Sequence, residues 1–323
     1  MDLEKIATRI GFVLFVALVV GAALGLATAN GGGATVSEPL TVDSHQPDAI
    51  LADAPAETGD LSVTDEAGQK HVVVDAAHGN DLDRESIAPA IEALTAAGHT
   101  VSFHREDRET PLNESLRAAD AFVVLSPERT YTASERAGLQ AFADAGGRVL
   151  LAGEPPSQGV AIASLLGLPG ETSAAPMTGL ASSFGFAFGD GYVYDLESYD
   201  NNYRNVYAAP TGGASVGGDA DQVTVHEATT VRGGTPLLET VETAKLSNDR
   251  EAGSYAIASR NEDVVAIGDA SVVNREWVQR NDNEVFVSGL LDFLVTGEKE
   301  PGAPAAAEPG GPGAPTRPPQ TPS

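Results

Sequence analysis

The sequence contains no cysteine in its 323 residues, which removes several kinds of chemistry at once. Without a thiol, the chain cannot form a disulfide, a thiolate nucleophile, an iron–sulfur cluster or a cysteine-ligated zinc site. Lysine is almost as scarce, since it occurs only at Lys5, Lys70, Lys245 and Lys299. The other basic residues are arginines. Enzymes that depend on a thiol are therefore excluded.

Positive charge is scarce as well, with 19 Lys and Arg residues against 46 Asp and Glu residues and a net charge of −27. Such a surface would repel phosphate, so we predict that the protein has no nucleic-acid partner. An acidic, lysine-poor surface is typical of proteins that stay soluble in strong salt, where screening removes the self-repulsion. This pattern predicts a halophilic, haloarchaeal source; an ordinary acidic secreted protein is the alternative.

The N-terminus combines two basic residues with a long apolar run. Lys5 and Arg9 precede the uncharged residues 10–29, which are enough to span a hydrocarbon core of about 30 Å. No Lys or Arg follows before Lys70, so the positive-inside rule predicts a single-pass protein of the cell membrane with its main domain outside. Residues 27–29 also resemble a cleavage site, and a removed signal peptide would make the protein secreted.

Composition divides the chain into four segments. Residues 1–29 are the predicted anchor or signal peptide, and residues 30–69 form a polar, Pro- and Gly-containing stretch that predicts a disordered stalk. Residues 70–297 carry the periodic patterns of a folded domain. Residues 298–323 are rich in Pro and Gly and predict a disordered tail.

The first half of residues 70–297 alternates strand and helix patterns. Short apolar runs that predict buried strands occupy residues 71–75, 100–104, 121–125 and 148–152. Between the first two runs, Ile87 and Leu94 share a helical face that ends at Gly98. Thr132 and Glu135 form a capping box that opens another helix. This alternation predicts an α/β fold with a flavodoxin-like, doubly wound parallel sheet.

The second half is less regular. Residues 182–210 are rich in Gly, Asn and aromatic side chains, which predicts a long irregular insertion. Residues 236–242, 255–259 and 264–271 have strand patterns, and residues 285–294 have the pattern of a last helix. Within the insertion, the tyrosines could form a sugar- or peptide-binding ledge or simply pack a loop. They are Tyr192, Tyr194, Tyr199, Tyr203 and Tyr207.

The order of these elements resembles a known family. The strand followed by the DAAHGN loop, and then LSPERTYTASERAGLQAFADAGGRVLLAGE, resembles the class I glutamine-amidotransferase-like fold. The segments GDGYVYD, NNYRN and GDASVVNREWVQRNDNEVFVSGLLDFL resemble a membrane-anchored branch of unknown function. That branch is similar to auxiliary subunits of gliding-type ABC transport systems. The resemblance implies an amidotransferase-like domain with partners in membrane transport or envelope complexes.

The resemblance also argues against the activity of that family. Amidotransferases carry a cysteine on the sharp turn after a strand, and the corresponding turn here is Ala152-Gly153-Glu154-Pro155. Neither Gly153 nor Glu154 can form the thioester. The resemblance therefore implies a pseudoenzyme, because a fold alone does not carry a function.

Polar side chains follow the predicted strands. Because the carboxyl ends of parallel strands meet at one edge, these side chains are predicted to line a ligand pocket there. The candidates are Asp75, His78, Asn80, Ser126, Glu154, Asp269, Asn274, Asp282 and Asn283. Carboxylate oxygen and imidazole also bind divalent metals, and the candidate ligands would be Asp75, His78, Glu154 and Asp269. The alternative is that these residues cap helices and turns and that the protein has no cofactor.

Taken together, these patterns predict a non-catalytic extracytoplasmic binding or assembly domain, tethered to the membrane and accessory to a transport or envelope complex. One alternative is a metal-assisted hydrolase that uses Asp75, His78 and Glu154. Another is a ligand-sensing module. A serine triad of Ser126 and His78 is disfavoured, because Ser126 lacks the G-x-S-x-G turn that exposes such a nucleophile.

Overall fold

A computed structural model describes residues 59–64, 68–80, 84–105, 110–155, 176–212, 216–217 and 219–305. All of them lie in one compact unit, Glu57–Ser323. The strands are β1 (His71–Ala76), β2 (Thr100–Arg105), β3 (Ala121–Leu125), β4 (Arg148–Ala152), β5 (Ala187–Tyr194), β6 (Asn205–Pro210), β7 (Val223–His226), β8 (Thr229–Arg232), β9 (Thr235–Thr240), β10 (Lys245–Leu246), β11 (Ala256–Asn261) and β12 (Val264–Ile267). The helices are α1 (Ala88–Ala96), α2 (Leu112–Ala118), α3 (Ala133–Asp144), α4 (Pro176–Ser183) and α5 (Asn283–Val295), with a short 3₁₀ helix at Ser271–Val273.

The large sheet has a parallel half with the strand order β2-β1-β3-β4-β12. The strands at its centre are continuous apolar runs, such as AFVVL in β3, because helices cover both faces and bury every position. The predicted α/β fold with a doubly wound parallel sheet is thus confirmed. The carboxyl ends of these strands meet at one edge, which we call the carboxyl edge.

Alternate residues of each strand enter two separate cores. In β1, Val72 and Val74 pack in a core that includes α1 and α5. Val73 points to the opposite face and packs with α2, α3 and α4. The start of α3 follows from the predicted capping box: the Glu135 amide donates to the Thr132 hydroxyl over 3.3 Å, and the Thr132 amide donates to the Glu135 carboxylate over 2.7 Å.

The second half of the chain extends the sheet with antiparallel strands in the order β12-β11-β9-β6-β7. The strands predicted at residues 236–242, 255–259 and 264–271 correspond to β9, β11 and β12, and the predicted last helix is α5. A small sheet, β10-β5-β8, packs beside this half.

The predicted irregular insertion is ordered and contributes β5 and β6. Its glycines hide the strand pattern in the sequence, because they are placed where another strand approaches closely. A Cβ atom at Gly189 would lie 2.5 Å from the Thr230 hydroxyl, and one at Gly191 would lie 2.7 Å from the Ser247 hydroxyl. Glycine is therefore required by packing at both positions.

The folded domain extends beyond the predicted bounds of residues 70–297. Residues 59–64 lie against α5, where the Ser62 amide donates to the Ser288 hydroxyl over 3.0 Å. After α5, the Lys299 ammonium donates to the carbonyl oxygens of Leu116 and Arg117 over 2.9 and 3.0 Å. Parts of the predicted stalk and tail therefore belong to the folded domain; the rest of both lies outside the described residues.

None of the helices in the described part of the chain is long and apolar enough to cross a membrane. This finding contradicts the predicted membrane partner and the predicted single-pass location. The apolar run of residues 10–29, on which both predictions depended, lies outside the described residues.

Candidate functional site

Four of the predicted site residues, which lie at or after the ends of β1, β4 and β12, are at the carboxyl edge, and they fall into two separate groups. The histidine cluster consists of Asp75, His78, Tyr131 and Glu135, and it joins the end of β1 to the start of α3. The carboxylate cluster consists of Glu154, Asp269, Ser271 and His226, and it joins the end of β4 to β7 and to the loop after β12. In the described structure no hydrogen bond or ion pair links the two.

Asp75 is the centre of the histidine cluster. It ends the buried run of β1 and is only 1% exposed. One carboxylate oxygen accepts from the Ala77 amide over 3.1 Å. The other accepts from His78 Nδ1 over 2.9 Å and from the Tyr131 hydroxyl. Both of its oxygens thus accept from neighbours within the domain, which is how a buried carboxylate is stabilised.

His78 lies between two carboxylates. Its Nδ1 atom bonds Asp75, its Nε2 atom lies 3.7 Å from a Glu135 oxygen, and its ring stacks on Tyr131 with 3.7 Å between the centroids. The Glu135 contact is an ion pair, since 3.7 Å is too long for a hydrogen bond. Burial lowers the pKa of His78, but the bonds and charges of Asp75 and Glu135 outweigh it and raise that pKa to about 9.

The pKa values of the residues around His78 are shifted as well. The interaction with His78 lowers the pKa of Glu135 to about 2. Burial, together with the charge of Asp75, raises the pKa of Tyr131 well above its ordinary value, so the phenol stays neutral and donates to Asp75. At neutral pH, His78 is an imidazolium without a free lone pair. It cannot act as a general base in this arrangement.

Asn80 and the His78 carbonyl bring the loops after β1 and β3 together. The Asn80 amide donates to the Leu125 carbonyl over 2.7 Å, and the backbone amides of Glu128 and Arg129 donate to the His78 carbonyl over 3.0 Å each. Ser126 has a φ of +40°, and its hydroxyl has no hydrogen-bond partner in the structure. His78 is engaged elsewhere, so the two residues form no catalytic pair.

Glu154 stands on the turn where the resemblance implies a nucleophile. One of its carboxylate oxygens accepts from the Ala270 amide over 2.9 Å and from the Ser271 amide over 3.2 Å. Burial of the carboxyl group and the negative charge of Asp269 raise the pKa of Glu154. The residue as a whole is exposed, so water reaches it and weakens both effects. Glu154 ties the turn after β4 to the loop after β12.

Asp269 is fully buried and joins the loop after β12 to the end of β7. One of its oxygens accepts from the Ser271 amide and hydroxyl over 2.8 and 2.6 Å, and the other accepts from the His226 amide over 2.7 Å. Burial raises the pKa of Asp269. His226 also bonds Asn205 through Nδ1 over 2.8 Å and stacks on Trp277 at a centroid distance of 4.4 Å.

The last three candidates cap turns and tie backbone segments together. The Asn274 side chain accepts from the Glu276 amide over 3.2 Å. Asp282 accepts from two successive amides, at residues 221 and 222, over 2.8 and 2.9 Å. Asn283 accepts from the Thr224 amide over 2.8 Å and donates to the carbonyls of Thr224 and Trp277 over 2.9 Å each. These contacts correspond to the capping alternative.

The proposed metal ligands are not brought together. Asp75 and His78 belong to the histidine cluster, whereas Glu154 and Asp269 belong to the carboxylate cluster. Among the described residues, no group of three or more His, Asp or Glu side chains has an arrangement that could hold a metal ion.

Several residues of the two clusters were missing from the candidates. Glu135 and His226 reach the clusters from α3 and β7, and Tyr131 does so from the loop before α3. Asn205 of β6 bonds the His226 ring from outside the cluster. Glu135 was recognised only as the second member of a capping box. Its proximity to His78 could not be inferred, because sequence spacing does not report contacts across a sheet edge.

The tyrosine-rich segment has an exposed part. In the described structure the exposed large hydrophobic residues are Leu196, Tyr199 and Tyr203, with exposed fractions of 60%, 41% and 39%. They lie in the loop between β5 and β6, which we call the aromatic loop (residues 195–204). Arg204 covers the rings of Tyr192 and Tyr203 with centroid distances of 4.9 and 5.5 Å. The loop is therefore partly packed and partly presented to solvent.

Comparisons with known proteins identify a family whose function is unknown. A family described as a domain of unknown function (DUF4350) matches residues 90–291. The search of curated proteins found no match. The matched range starts inside α1 and ends inside α5, so it leaves out β1 and the loop that carries Asp75 and His78.

Several solved structures are similar to this chain at low sequence identity. The mmIFT52 N-terminal domain is similar with a TM-score of 0.50 and 13% identity, covering 71% of this chain and 99% of that one. A ThuA-like protein from Bacteroides uniformis has a TM-score of 0.42 and 11% identity, with coverages of 77% and 98%. A glutamine amidotransferase from Thermotoga maritima has a TM-score of 0.35 and 10% identity, with coverages of 70% and 96%.

Proposed function

Because the chain belongs to the DUF4350 family of domains of unknown function, its fold assigns no activity, and we propose that it is a non-catalytic binding domain. The surface that we assign to binding is the aromatic loop. The observation that carries the proposal is the exposure of Leu196, Tyr199 and Tyr203 within eight residues of one another on an ordered loop.

The carboxyl edge supports the absence of catalysis. A general base needs a free lone pair, and a nucleophile needs a base within hydrogen-bond reach. Both carboxylate oxygens of Asp75 accept hydrogen bonds from other groups of the domain, and both ring nitrogens of His78 face carboxylates. The turn that would carry a nucleophile instead carries Glu154, whose oxygen accepts from two backbone amides. These groups stabilise loops, which explains why polar side chains occur at these positions.

Hydrogen bonds and an ion pair hold the aromatic loop in place. Buried Asp195 accepts from the amides of Glu197 and Ser198 over 2.7 and 3.1 Å and from the Thr243 hydroxyl over 2.5 Å. Asp200 forms an ion pair with Arg280, with 3.0 Å between the paired atoms. The exposed side chains thus stand on a preformed support, and little conformational entropy is lost when they are covered.

The chemistry of the loop fits a protein partner with an apolar patch. Tyrosine, leucine and arginine give a rigid apolar surface with a few polar groups, and tyrosine and arginine are enriched in binding hot spots. Arg204 is neutralised by its ion pair with Glu227, so the patch itself carries little net positive charge. The loop itself also contains Asp195, Glu197 and Asp200 and is acidic, like the chain as a whole with its net charge of −27, so the attraction between the loop and its partner is apolar and not electrostatic.

Photo-crosslinking of the full chain in its source cells tests this function. A photoreactive phenylalanine analogue placed at Tyr199 is expected to yield one discrete protein adduct. The double variant Leu196→Ser/Tyr203→Ser should lose that adduct by about tenfold or more while keeping the same thermal stability, because the two side chains are exposed. The readout is the adduct band on a denaturing gel, identified by mass spectrometry.

The matched control carries the same analogue at Arg117, an exposed position near the end of α2, and should give no such adduct. Equal labelling from both positions, or an adduct that survives the double variant, would refute the aromatic loop as the binding surface. An adduct between two copies of this chain would also contradict a separate partner.

The other predicted functions receive less support from the geometry. A metal-assisted hydrolase requires ligands that the fold separates into two clusters. A sensor built around His78 would have to displace one of its two carboxylate partners. The accessory role in a transport or envelope complex was implied by the resemblance alone, and no contact of the described residues supports it, so the proposed function stops at protein binding.

A further inference from the structure

A second candidate site lies between the small sheet and the antiparallel half of the large sheet. It is a pocket of about 390 Å³ bounded by β8, β9 and β11, which we call the inter-sheet pocket. Its apolar wall includes Val231, Leu246 and Tyr255. Its volume falls in the range of about 300–1,000 Å³ that is typical of sites for small molecules. None of the residues of the histidine or carboxylate clusters lines it.

Ser259 gives the pocket an unused hydrogen-bonding group. The residue is 1% exposed and lies in β11, opposite Pro236 of β9 and Ala266 of β12. Its hydroxyl is buried and has no hydrogen-bond partner in the structure, and the residue is part of the pocket lining. Buried hydroxyls are almost always paired, because an unpaired one loses its bonds to water without compensation. The orphan hydroxyl therefore points to an occupant that bonds it.

Arg232 supplies a positive charge to the same pocket. It is the last residue of β8 and is exposed, whereas the three residues before it are buried. Within the described structure, no carboxylate forms an ion pair with it, in contrast to Arg148, Arg204 and Arg280. A guanidinium without a counter-charge on so acidic a chain is suited to bind an anionic group.

The wall of the pocket beside Arg232 is formed by tightly packed backbone. Gly233 and Gly234 have φ values of +95° and +68° and turn the chain from β8 into β9. A Cβ atom at Gly233 would lie 2.1 Å from the Gly185 carbonyl oxygen, and one at Gly234 would lie 2.5 Å from the Arg260 carbonyl oxygen. Across the pocket, the Tyr255 hydroxyl donates to the Glu251 carbonyl over 2.6 Å and fixes its ring. The pocket is therefore preformed.

We propose that the inter-sheet pocket binds a small organic anion with an apolar body. The anionic group, a carboxylate or a sulfonate, pairs with Arg232. A hydrogen-bonding atom of the ligand engages the Ser259 hydroxyl, and the apolar body packs on Val231, Leu246 and Tyr255. This site is separate from the aromatic loop and does not depend on the function proposed for that loop.

Two fluorescent dyes that differ in one charged group test the proposal on the full chain. The anionic dye 1-anilinonaphthalene-8-sulfonate and its uncharged analogue N-phenyl-1-naphthylamine share the same rings. Titration at the lowest salt concentration that keeps the protein folded limits screening of the charge. The anionic dye is expected to bind at one site per chain and about fivefold more tightly than the uncharged dye, the upper end for an exposed ion pair.

Three variants assign the binding to this pocket. Arg232→Gln should weaken the anionic dye about fivefold and leave the uncharged dye unchanged, which removes the difference between them. Ser259→Leu fills the pocket and should weaken both dyes by about tenfold or more. Arg117→Gln, an exposed arginine on α2, is the matched control and should change neither affinity.

Because Ser259 is buried, its leucine variant can fail for reasons of folding, whereas the exposed Arg232 variant keeps the test decisive. Equal affinities of the two dyes in the wild-type chain would overturn the proposal. So would a charge preference that Arg232→Gln leaves intact, or binding that Arg117→Gln weakens as much as Arg232→Gln does.

Discussion

Replacement of Asp75 by alanine is expected to lower the free energy of unfolding by about 3–5 kcal/mol, the usual loss when one partner of a buried ion pair is removed. The carboxylate of Asp75 is the shared acceptor of the Ala77 amide, His78 and the Tyr131 hydroxyl. Without it, a buried imidazolium keeps only the longer contact of 3.7 Å to Glu135, and two donors lose their partner.

Denaturant unfolding of the full chain at constant high salt measures this loss. Asp144→Ala, at the exposed end of α3, is the matched control and should change the unfolding free energy by less than about 0.5 kcal/mol. Tyr131→Phe removes one donor and leaves the ion pair intact, so about 1 kcal/mol is expected. A loss below about 1 kcal/mol for Asp75→Ala would mean that the cluster does not stabilise the domain.

Asn283→Ala should have the second-largest effect, a loss of about 3 kcal/mol or more, because up to three backbone groups are left unsatisfied at about 1 kcal/mol or more each. Asn283 is fully buried at the start of α5. It accepts from the Thr224 amide and donates to the carbonyls of Thr224 and Trp277, which joins α5, β7 and the loop that precedes α5.

The same unfolding experiment on Asn274→Ala provides the comparison, since that side chain makes a single bond of 3.2 Å to a neighbouring amide. Its loss should stay below about 1 kcal/mol. If Asn274→Ala and Asn283→Ala destabilised the domain equally, the buried bonds of Asn283 would contribute no more than an ordinary turn cap.

The sequence predicts the parallel half of the fold well and the antiparallel half less completely. The runs AFVVL and RVLLA match β3 and β4 at both ends, because a strand buried on both faces is a continuous apolar run. The short strands β7, β8 and β10 have two to four residues, too few for a periodic pattern to appear. The glycines of β5 are required by the close approach of Thr230 in β8 and of Ser247 after β10, and these contacts cannot be recognised before the fold is known.

The sequence predicts where the candidate residues lie but not what their side chains do. Topology places Asp75, Glu154 and Asp269 at the carboxyl edge, as expected for residues after parallel strands. Whether such side chains converge on a ligand or bond one another depends on residues from other elements. For Asp75 and His78, the deciding contacts are those with Tyr131 and Glu135. These contacts can be recognised only when the distances across the carboxyl edge are known.

The aromatic loop shows the same limit. Its tyrosines can be recognised in the sequence, but the sequence does not separate buried from exposed rings. The buried carboxylate of Asp195 determines the course of the chain, and this leaves Tyr199 and Tyr203 exposed while Tyr192 lies under Arg204.

The measurement that tests the central claim most directly is an NMR titration of His78, assigned by the imidazole signal that disappears in His78→Gln. A structural, doubly paired imidazolium is expected to titrate at a pKa of about 9 against an ordinary value of 6.5. Since the folded pKa is the higher one, the stabilisation is complete below pH 6.5 and is lost as the pH rises through about 9. Unfolding experiments should show the same loss in the wild-type chain and not in His78→Gln. A pKa at or below 6.5 would leave a neutral base at pH 7, as a hydrolase requires, and would contradict the account.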